Sequence, residues 1–589
     1  MKKELEELRQ LMKLNNADFY IIATDDFHQS EYVADYFKAR AFISGFTGSA
    51  GTLVVTRDFA GLWTDSRYFL QAEQQLSGSG IELMKDMGSY ESSYKAFIEK
   101  IVKSGQIVAF DARTLSAANA LEIQKKAKAK GAQIKNMDLV AKIWVNRPGL
   151  PEDPVYVLDE SITGESTASK LSYIRKQMEE KSADIHVISA LDEIAYILNM
   201  RGTDITYNPV FLSYLVIGKD FAELYIDRGK LSPSVKEYLK AQNIELRNYF
   251  DIDVDLKAVH ENAHVLFDSS KLNYNLYLKI NPLAVKIDSK NPAELKKACK
   301  NDVELEKTKY YHKIDGAAMI KFIKWLFDNY KTIEITELDV EQKLEEIRSH
   351  GEGYKDLSFA TIAGFAGHGA IVHYKADEKS SALLKEGNVL LLDSGAQYLG
   401  ATTDITRTMA LGEVPYEIKR DFTLVLKAHL GLARAKFPDY VTGTNLDSLA
   451  KIHLWKEGAD YGHGTGHGVG AFLSVHEGPE RIVSSYNNVR LRAGMIISNE
   501  PGIYVEGKYG IRTENLVYVK DYKTTEFGKF FEFENLTLVP IDLNLTDESM
   551  LTSEEKAQLN AYHRRVYDEI SPLLDEEHRA FLKNLTRQI

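Results

Sequence analysis

The chain has 589 residues, of which 44% are apolar and 27% charged, with a formal net charge of −12. That length exceeds what one hydrophobic core ordinarily serves, so several domains are expected, and the composition is that of a globular protein. The excess of carboxylates argues against a nucleic-acid or anionic-membrane binder, whose affinity needs a basic surface.

From the amino terminus, Leu5, Leu8 and Leu11 recur at helical spacing among alternating charges. They predict an amphipathic helix facing a core, not the unbroken apolar run of a signal peptide. No stretch approaches the ~18 apolar residues that span a bilayer, and no membrane association is expected. The only cysteine, Cys299, excludes an intrachain disulfide and a cysteine-based metal site. A reducing, cytoplasmic location fits.

Two early segments repeat. LVVTRDFAGLWTD (53–65) aligns without a gap on LVIGKDFAELYID (215–227), with seven of thirteen positions identical. Each reads as an apolar strand, a Lys/Arg-Asp turn and a second apolar strand, and each follows another strand (FYIIAT, IHVISA) and a helix-like stretch. Two copies of one α/β domain are expected, over 1–152 and 153–303. The break falls in NRPGLPEDPV, where Pro148, Pro151 and Pro154 stop any helix or inner strand. From residue 304 a long helical pattern follows, and then a capping-box start at Thr336 and Asp339 for a helix ending near Gly351. The region 304–589 reads as a third, larger α+β domain.

That last domain carries the chemistry. Val389 to Leu392 form a buried strand ending in Asp393, and a Gly-containing turn leads to a second strand, TTDITRT, with Asp404. Two carboxylates side by side repel and are costly to desolvate without a cation or a shared proton. Next, YGHGTGHGVGAFLSVHEGP alternates glycine with larger residues, which excludes a stable helix and suits backbone packed tightly against a site. His463, His467 and His476 fall within it. Glu500 follows an apolar strand just before Pro501-Gly502, where the strand must break. Glu514 lies in IRTENLVYV, read as one strand in which Arg512 and Glu514 share a face and can pair. Four carboxylates and at least one imidazole are too many for a structural zinc. They suit two hard or borderline divalent cations, Mn²⁺ first, with Co²⁺, Zn²⁺ or Fe²⁺ as competitors. Two such metals ~3.5–4 Å apart hold a hydroxide and polarise a carbonyl together.

The order Asp393, Asp404, HGTGHG with His467, NEPG with Glu500 and RTEN with Glu514 resembles the pita-bread metallopeptidases. That family includes methionine aminopeptidase, prolidase, aminopeptidase P and the metal-free creatinase. AFISGFTGSAGTLVVT with LWTDSRYFLQA is similar to the N-terminal domain of aminopeptidase P, GAIVHY with His373 to the histidine-bearing segment of the catalytic domain, and the tail FENLTLVPIDLNL with LTSEEKAQLNAYHRRVYDEISPLL to the extension of the three-domain form. The resemblance implies two creatinase-N-like domains before a pita-bread catalytic domain. It implies that Asp393 binds one metal, His467 and Glu500 the other, and that Asp404 and Glu514 bridge them. It makes Glu500 the general base as well. His373, His463 and His476 are implied to line the substrate pocket, His476 to donate to the developing oxyanion, and Arg512 to orient Glu514. His368 stands where the family pattern has a non-ionisable residue, and no role is assigned to it.

The implied reaction is cleavage of the first bond of Xaa-Pro peptides. That bond lacks an N–H, and its ring holds φ near about −65°, so a site gripping the scissile N–H has no handle. A prolidase, restricted to Xaa-Pro dipeptides, is the alternative within the family; TGSAGT and the second domain favour aminopeptidase P. A metal-free pita-bread binding protein is the alternative outside it, and retention of all five ligands speaks against that. A homodimer is implied by the resemblance alone.

Overall fold

Both repeats form the same sheet. The computed structural model describes residues 2–589. In the first copy, β1 (Phe19–Ala23), β2 (Thr52–Thr56), β3 (Ala60–Thr64), β4 (Glu82–Lys85), β5 (Ile107–Phe110) and β6 (Gln133–Asn136) make a sheet of order β4-β3-β2-β1-β5-β6. In the second, β7 (Ile185–Ile188), β8 (Ser213–Gly218), β9 (Ala222–Ile226), β10 (Ile244–Arg247), β11 (His264–Phe267) and β12 (Val285–Asp288) follow the order β10-β9-β8-β7-β11-β12. Parallel and antiparallel neighbours correspond strand for strand. The repeated hairpins even share register, Leu53 opposite Leu62 and Leu215 opposite Leu224.

All five residues of β1 are buried because both faces of the sheet are covered. Tyr20 and Ile22 pack with Leu5 and Leu8 of the amino-terminal helix α1 (Lys3–Leu14), while Phe19 and Ile21 pack with Ala120 and Ile123 of α2 (Ala117–Ala129). Met12, rather than Leu11, completes the fully buried stripe of α1. The proline-rich stretch 146–155 contains no helix or strand.

The chain divides into two units. One runs to Asp159 and resumes over Glu165–Glu294, and so contains both repeats; the other comprises Glu160–Gly164 and Leu295–Ile589. Within the second unit, Lys297 and Lys300 bury their ammonium groups against Glu477.

In the second unit, α3 (Asp302–Asn329) and α4 (Glu337–Ser349) pack on a three-stranded antiparallel sheet, β13 (Ile362–Phe365), β14 (Asn388–Ser394) and β15 (Ile405–Leu411). Met319, Phe322 and Leu326 meet Val340 and Leu344 and, from the sheet, Leu390, Leu392 and Met409. The expected Thr336–Asp339 capping box begins α4. A six-stranded sheet carries β16 (Gly466–Gly468), β17 (Glu477–Ile482), β18 (Ile496–Asn499), β20 (Asn515–Thr525), β21 (Gly528–Asn535) and the short strand Lys436–Pro438, while β19 (Tyr509–Arg512) pairs with Gly502–Val505 in a separate two-stranded ribbon. Helix α5 (Tyr416–Ala433) packs Phe422, Val425 and Leu426 against Ile497, Val517 and Val519 of that sheet. The ends of β14, β15, β18 and β20 come together through the pairing of β14 with β15, that of β18 with β20, and the Glu514–Thr406 backbone bond.

Candidate metal centre

Each carboxylate of the centre sits where a strand starts or ends. Asp393 is the next-to-last residue of β14, and Asp404 immediately precedes β15. Antiparallel pairing of β18 with β20 sets Asn499 opposite Asn515, so Glu500 and Glu514, one residue beyond on each strand, face one another. The Glu514 N–H donates to the Thr406 carbonyl at 3.2 Å and ties that junction to β15, and the Glu500 N–H donates to Thr465 at 2.9 Å.

The expected continuous strand over IRTENLVYV does not form. β19 ends at Arg512 and β20 begins at Asn515, leaving Thr513 and Glu514 between two different sheets. A residue at such a break is released from the two-residue alternation, and Glu514 is turned into the site by it. The expected Arg512–Glu514 pair is also corrected. Arg512 donates through Nη2 to Asp393 Oδ2 at 2.6 Å, through Nη1 to the Tyr504 hydroxyl at 2.7 Å and through Nε to Thr406 Oγ1 at 3.2 Å. Thr406 in turn donates to Glu514 Oε2 at 2.7 Å. Arg512 therefore pairs with Asp393 and reaches Glu514 only through a threonine hydroxyl. Thr406 and Tyr504 were not legible as site residues, since nothing in a lone Thr or Tyr marks it as a linker.

The glycine alternation has the reason the sequence suggests. A Cβ on Gly466 would lie 2.0 Å from the Ser498 carbonyl oxygen, and one on Gly468 would lie 2.6 Å from Glu480 Oε1. Only glycine lets β16 lie this close to its neighbours. It carries His467 to the centre, with Nδ1–H donating to the Gly468 carbonyl at 2.9 Å. That bond leaves Nε2 facing Asp404 Oδ2 at 3.5 Å and Glu500 Oε1 at 3.6 Å. An imidazole oriented by its other nitrogen is prepared as a metal ligand.

Three overlapping donor sets result, each with its ligand atoms within 4.8 Å of one another: Asp393, Asp404 and Glu514; His467, Glu500 and Glu514; and Asp404, His467 and His476. All five residues expected as ligands are thus together, and Asp404, His467 and Glu514 each belong to two sets. His476 lies edge-on to His467, ring centroids 4.5 Å apart. His463 donates from Nδ1 to the Gly464 carbonyl at 2.8 Å and so accepts at Nε2 from the Tyr504 hydroxyl at 2.8 Å. His373 is half-buried beside Val372, whose carbonyl lies 3.5 Å from Arg512 Nη2. His368 is occupied elsewhere, bonded to Glu337.

The electrostatics call for cations. Burial pushes Asp393 up to about 6 against the pull of Arg512, and the Asp404 and Glu500 charges push the same way. Glu514 is driven well above the usual carboxylate range by burial and then by Asp404, Glu500 and Asp393. Burial opposes a charge on His467, but Asp404 and Glu500 outweigh it and raise the imidazole to about 9. Four carboxyl groups gather around one guanidinium and one imidazole, more acids than those two groups can balance when all are ionised, and Asp393 Oδ1 has no hydrogen-bond partner. A carboxylate oxygen left bare in that setting fits a coordinated cation. The donor set of oxygens and one imidazole suits hard or borderline divalent metals.

Residues 4–143 and 146–304 each match the Creatinase/Prolidase N-terminal domain, residues 306–521 match Metallopeptidase family M24, and residues 529–589 match the C-terminal region of peptidase_M24. A probable Xaa-Pro aminopeptidase P of Paracoccidioides brasiliensis is 39% identical over all of this chain and 99% of the relative. The crystal structure of X-prolyl aminopeptidase from Caenorhabditis elegans, described as a cytosolic enzyme with a di-nuclear active site, superposes with a TM-score of 0.95 at 34% identity, covering 100% of both chains. An Xaa-Pro dipeptidase from Bacillus anthracis covers only 64% of this chain, and 99% of its own, at 26% identity and a TM-score of 0.52. On full-length similarity, the chain belongs to metallopeptidase family M24, as an aminopeptidase of the three-part form shared with the Xaa-Pro aminopeptidase P proteins.

Proposed function

We propose that this chain hydrolyses the amino-terminal Xaa-Pro bond of peptides at a centre of two divalent metal ions, Mn²⁺ first. The observation that carries the reading is the trio of overlapping donor sets, which share Asp404, His467 and Glu514 and so draw all five residues into one centre. Asp393 would hold one ion, His467 and Glu500 the other, with Asp404 and Glu514 bridging. When bound, the pair supplies an acidified water and a Lewis acid for the scissile carbonyl.

The chain's own residues do the rest. Glu500, half-buried at the end of β18, takes the proton of the attacking water. His476, beside His467, donates to the oxyanion, a task in which one hydrogen bond contributes ~2.7–4 kcal/mol. His373 and His463 receive the peptide, His463 with its ring oriented by Tyr504. Arg512 orients Asp393 directly and Glu514 through Thr406. Full-length similarity to Xaa-Pro aminopeptidase P proteins supports peptides longer than two residues as substrates. A cytoplasmic homodimer belongs to the same reading.

The test is hydrolysis of Arg-Pro-Pro and of an Xaa-Pro dipeptide by protein reconstituted with Mn²⁺, Zn²⁺ or Co²⁺. The tripeptide is expected to be cut after arginine, fastest with Mn²⁺. Cleavage of the dipeptide with the tripeptide left intact would make the chain a prolidase. Failure to bind any divalent metal would remove the reading altogether.

A further inference from the structure

Glu337 opens helix α4, and its side chain is fully buried. A carboxylate in that position is costly unless every lone pair is used. It accepts from the Phe365 N–H at 2.7 Å, from His368 Nδ1 at 2.9 Å, from the Tyr374 hydroxyl at 2.9 Å and from the Ala382 N–H at 2.7 Å. A carboxylate in the first turn of a helix commonly serves that helix's own N–H groups. Here none of the four donors belongs to α4. They come instead from the end of β13, the turn 366–370, the residue after His373 and the loop that leads to β14.

The segment these bonds hold borders the metal centre on its other side. The Val372 carbonyl lies 3.5 Å from Arg512 Nη2, the same nitrogen that donates to Asp393. His373 therefore stands between two anchored residues, Val372 toward Arg512 and Tyr374 toward Glu337. The His368 ring stacks on the Tyr374 ring at 4.6 Å, which stiffens the second anchor. The turn before it lies backbone to backbone on β19: a Cβ on Gly510 would come within 1.7 Å of the Gly369 carbonyl oxygen. Tyr374 and Tyr504 also share one small apolar cluster with Ile362 and Leu391.

We propose that Glu337, acting with His368 and Tyr374, is a positioning residue that sets where His373 meets the peptide. The inference rests on the reading of His373 as a pocket residue. It gives His368 a task, as one of the donors that keep Glu337 and Tyr374 in place.

A double-mutant cycle tests it. Glu337→Gln, Tyr374→Phe, His373→Ala and Tyr374→Phe/His373→Ala are compared on Arg-Pro-Pro, with metal content and thermal midpoint measured for each. Glu337→Gln and Tyr374→Phe are each expected to raise KM ~10-fold, the loss of about one charged-partner hydrogen bond, with kcat little changed and two metals retained. In the His373→Ala background, Tyr374→Phe is expected to add nothing. His368→Asn, which keeps an N–H donor, is expected to behave as the unaltered chain, and His368→Leu to resemble Tyr374→Phe. Should Glu337→Gln fail to fold, Tyr374→Phe, which deletes one hydroxyl, decides alone. Multiplying effects in the double variant, or a normal KM for Tyr374→Phe beside an impaired His373→Ala, overturns the proposal and leaves the metallopeptidase reading intact. A normal His373→Ala overturns the proposal together with the pocket role of His373.

Discussion

His476 and Glu477 are adjacent in the chain, yet they belong to two buried polar clusters that balance charge in opposite ways. His476 joins the group of Asp393, Asp404, Glu500 and Glu514, where four carboxylates meet one guanidinium. Glu477 pairs with Lys297 at 2.7 Å and with Lys300 at 2.9 Å, all three almost fully buried, and Glu480 lies near the same lysines. There two carboxylates meet two ammonium groups, and the protein is its own counterion. Burial moves Glu480 up to about 7 against the pull of Lys300. The difference teaches how to read buried acids. A cluster with resident cations in equal number is part of the fold, whereas one with a surplus of carboxylates is built for cations that arrive from solution.

The largest expected effect breaks the comparison from the structural side. Glu477→Gln removes the direct ion-pair partner of two buried ammonium groups, leaving only Glu480 near them, and is expected to cost ~3–5 kcal/mol of stability, measured by denaturant unfolding, while the metal content of the folded fraction is unchanged. A variant as stable as the unaltered chain would show that the lysines reach solvent. Asp404→Asn tests the other cluster and should behave inversely. Activity is expected to fall by more than ~100-fold with loss of metal, because the bridging role proposed for Asp404 would matter more than the outer-shell groups that carry about that factor. The metal-free protein, relieved of one repelling carboxylate, is no less stable than its metal-free parent. Retained peptidase activity would sink the metal assignment, and a destabilised apo-protein would show that Asp404 is a structural acid like Glu477.

A smaller effect comes from behind the centre, where the charge has the opposite sign. Arg407 is fully enclosed by neutral acceptors, among them the carbonyls of Glu514, Val539 and Pro540 and the Tyr562 hydroxyl. His429 and His563 nearby are pushed down to about 3, by burial first and by Arg407 next. Between that value and the unfolded one near ~6.5, the unfolded chain binds the extra proton. The stability these groups contribute is therefore present above about pH 6.5 and is lost as pH falls toward 3. Gln at position 563 can still accept from the Ile541 N–H, as His563 does at 3.1 Å. His563→Gln is expected to flatten the acid limb of stability against pH by up to ~1.4 kcal/mol per unit. An unchanged slope would mean that His563 is protonated in the fold.

Much of this was legible in the sequence. The duplicated hairpin announced two copies of one sheet, because a repeat of apolar strand, charged turn and apolar strand folds the same way wherever it stands. That the five proposed ligands come together was legible, because a carboxylate at the end of an apolar strand, or a histidine between glycines, has few structural uses. Arg512 was read with the wrong partner. Its parity with Glu514 holds only within one strand, and the chain leaves one sheet and enters another at Thr513. Glu337 was legible only as the first residue after a helix cap, since its four donors lie 28 to 45 residues away in sequence.

By itself the sequence determined the residue types and their local settings: the strand ends, the glycines beside His467, the prolines between the repeats, and the absence of a second cysteine. Those follow from short-range sterics and from the period of apolar residues. Only the tertiary structure decided which charges meet. Asp393 turned to Arg512, Glu477 to Lys297 and Lys300, and Glu514 to the centre through a break between sheets. The reason is that a charge in low dielectric answers to whatever lies within a few ångströms, and those neighbours come from strands and helices far apart along the chain.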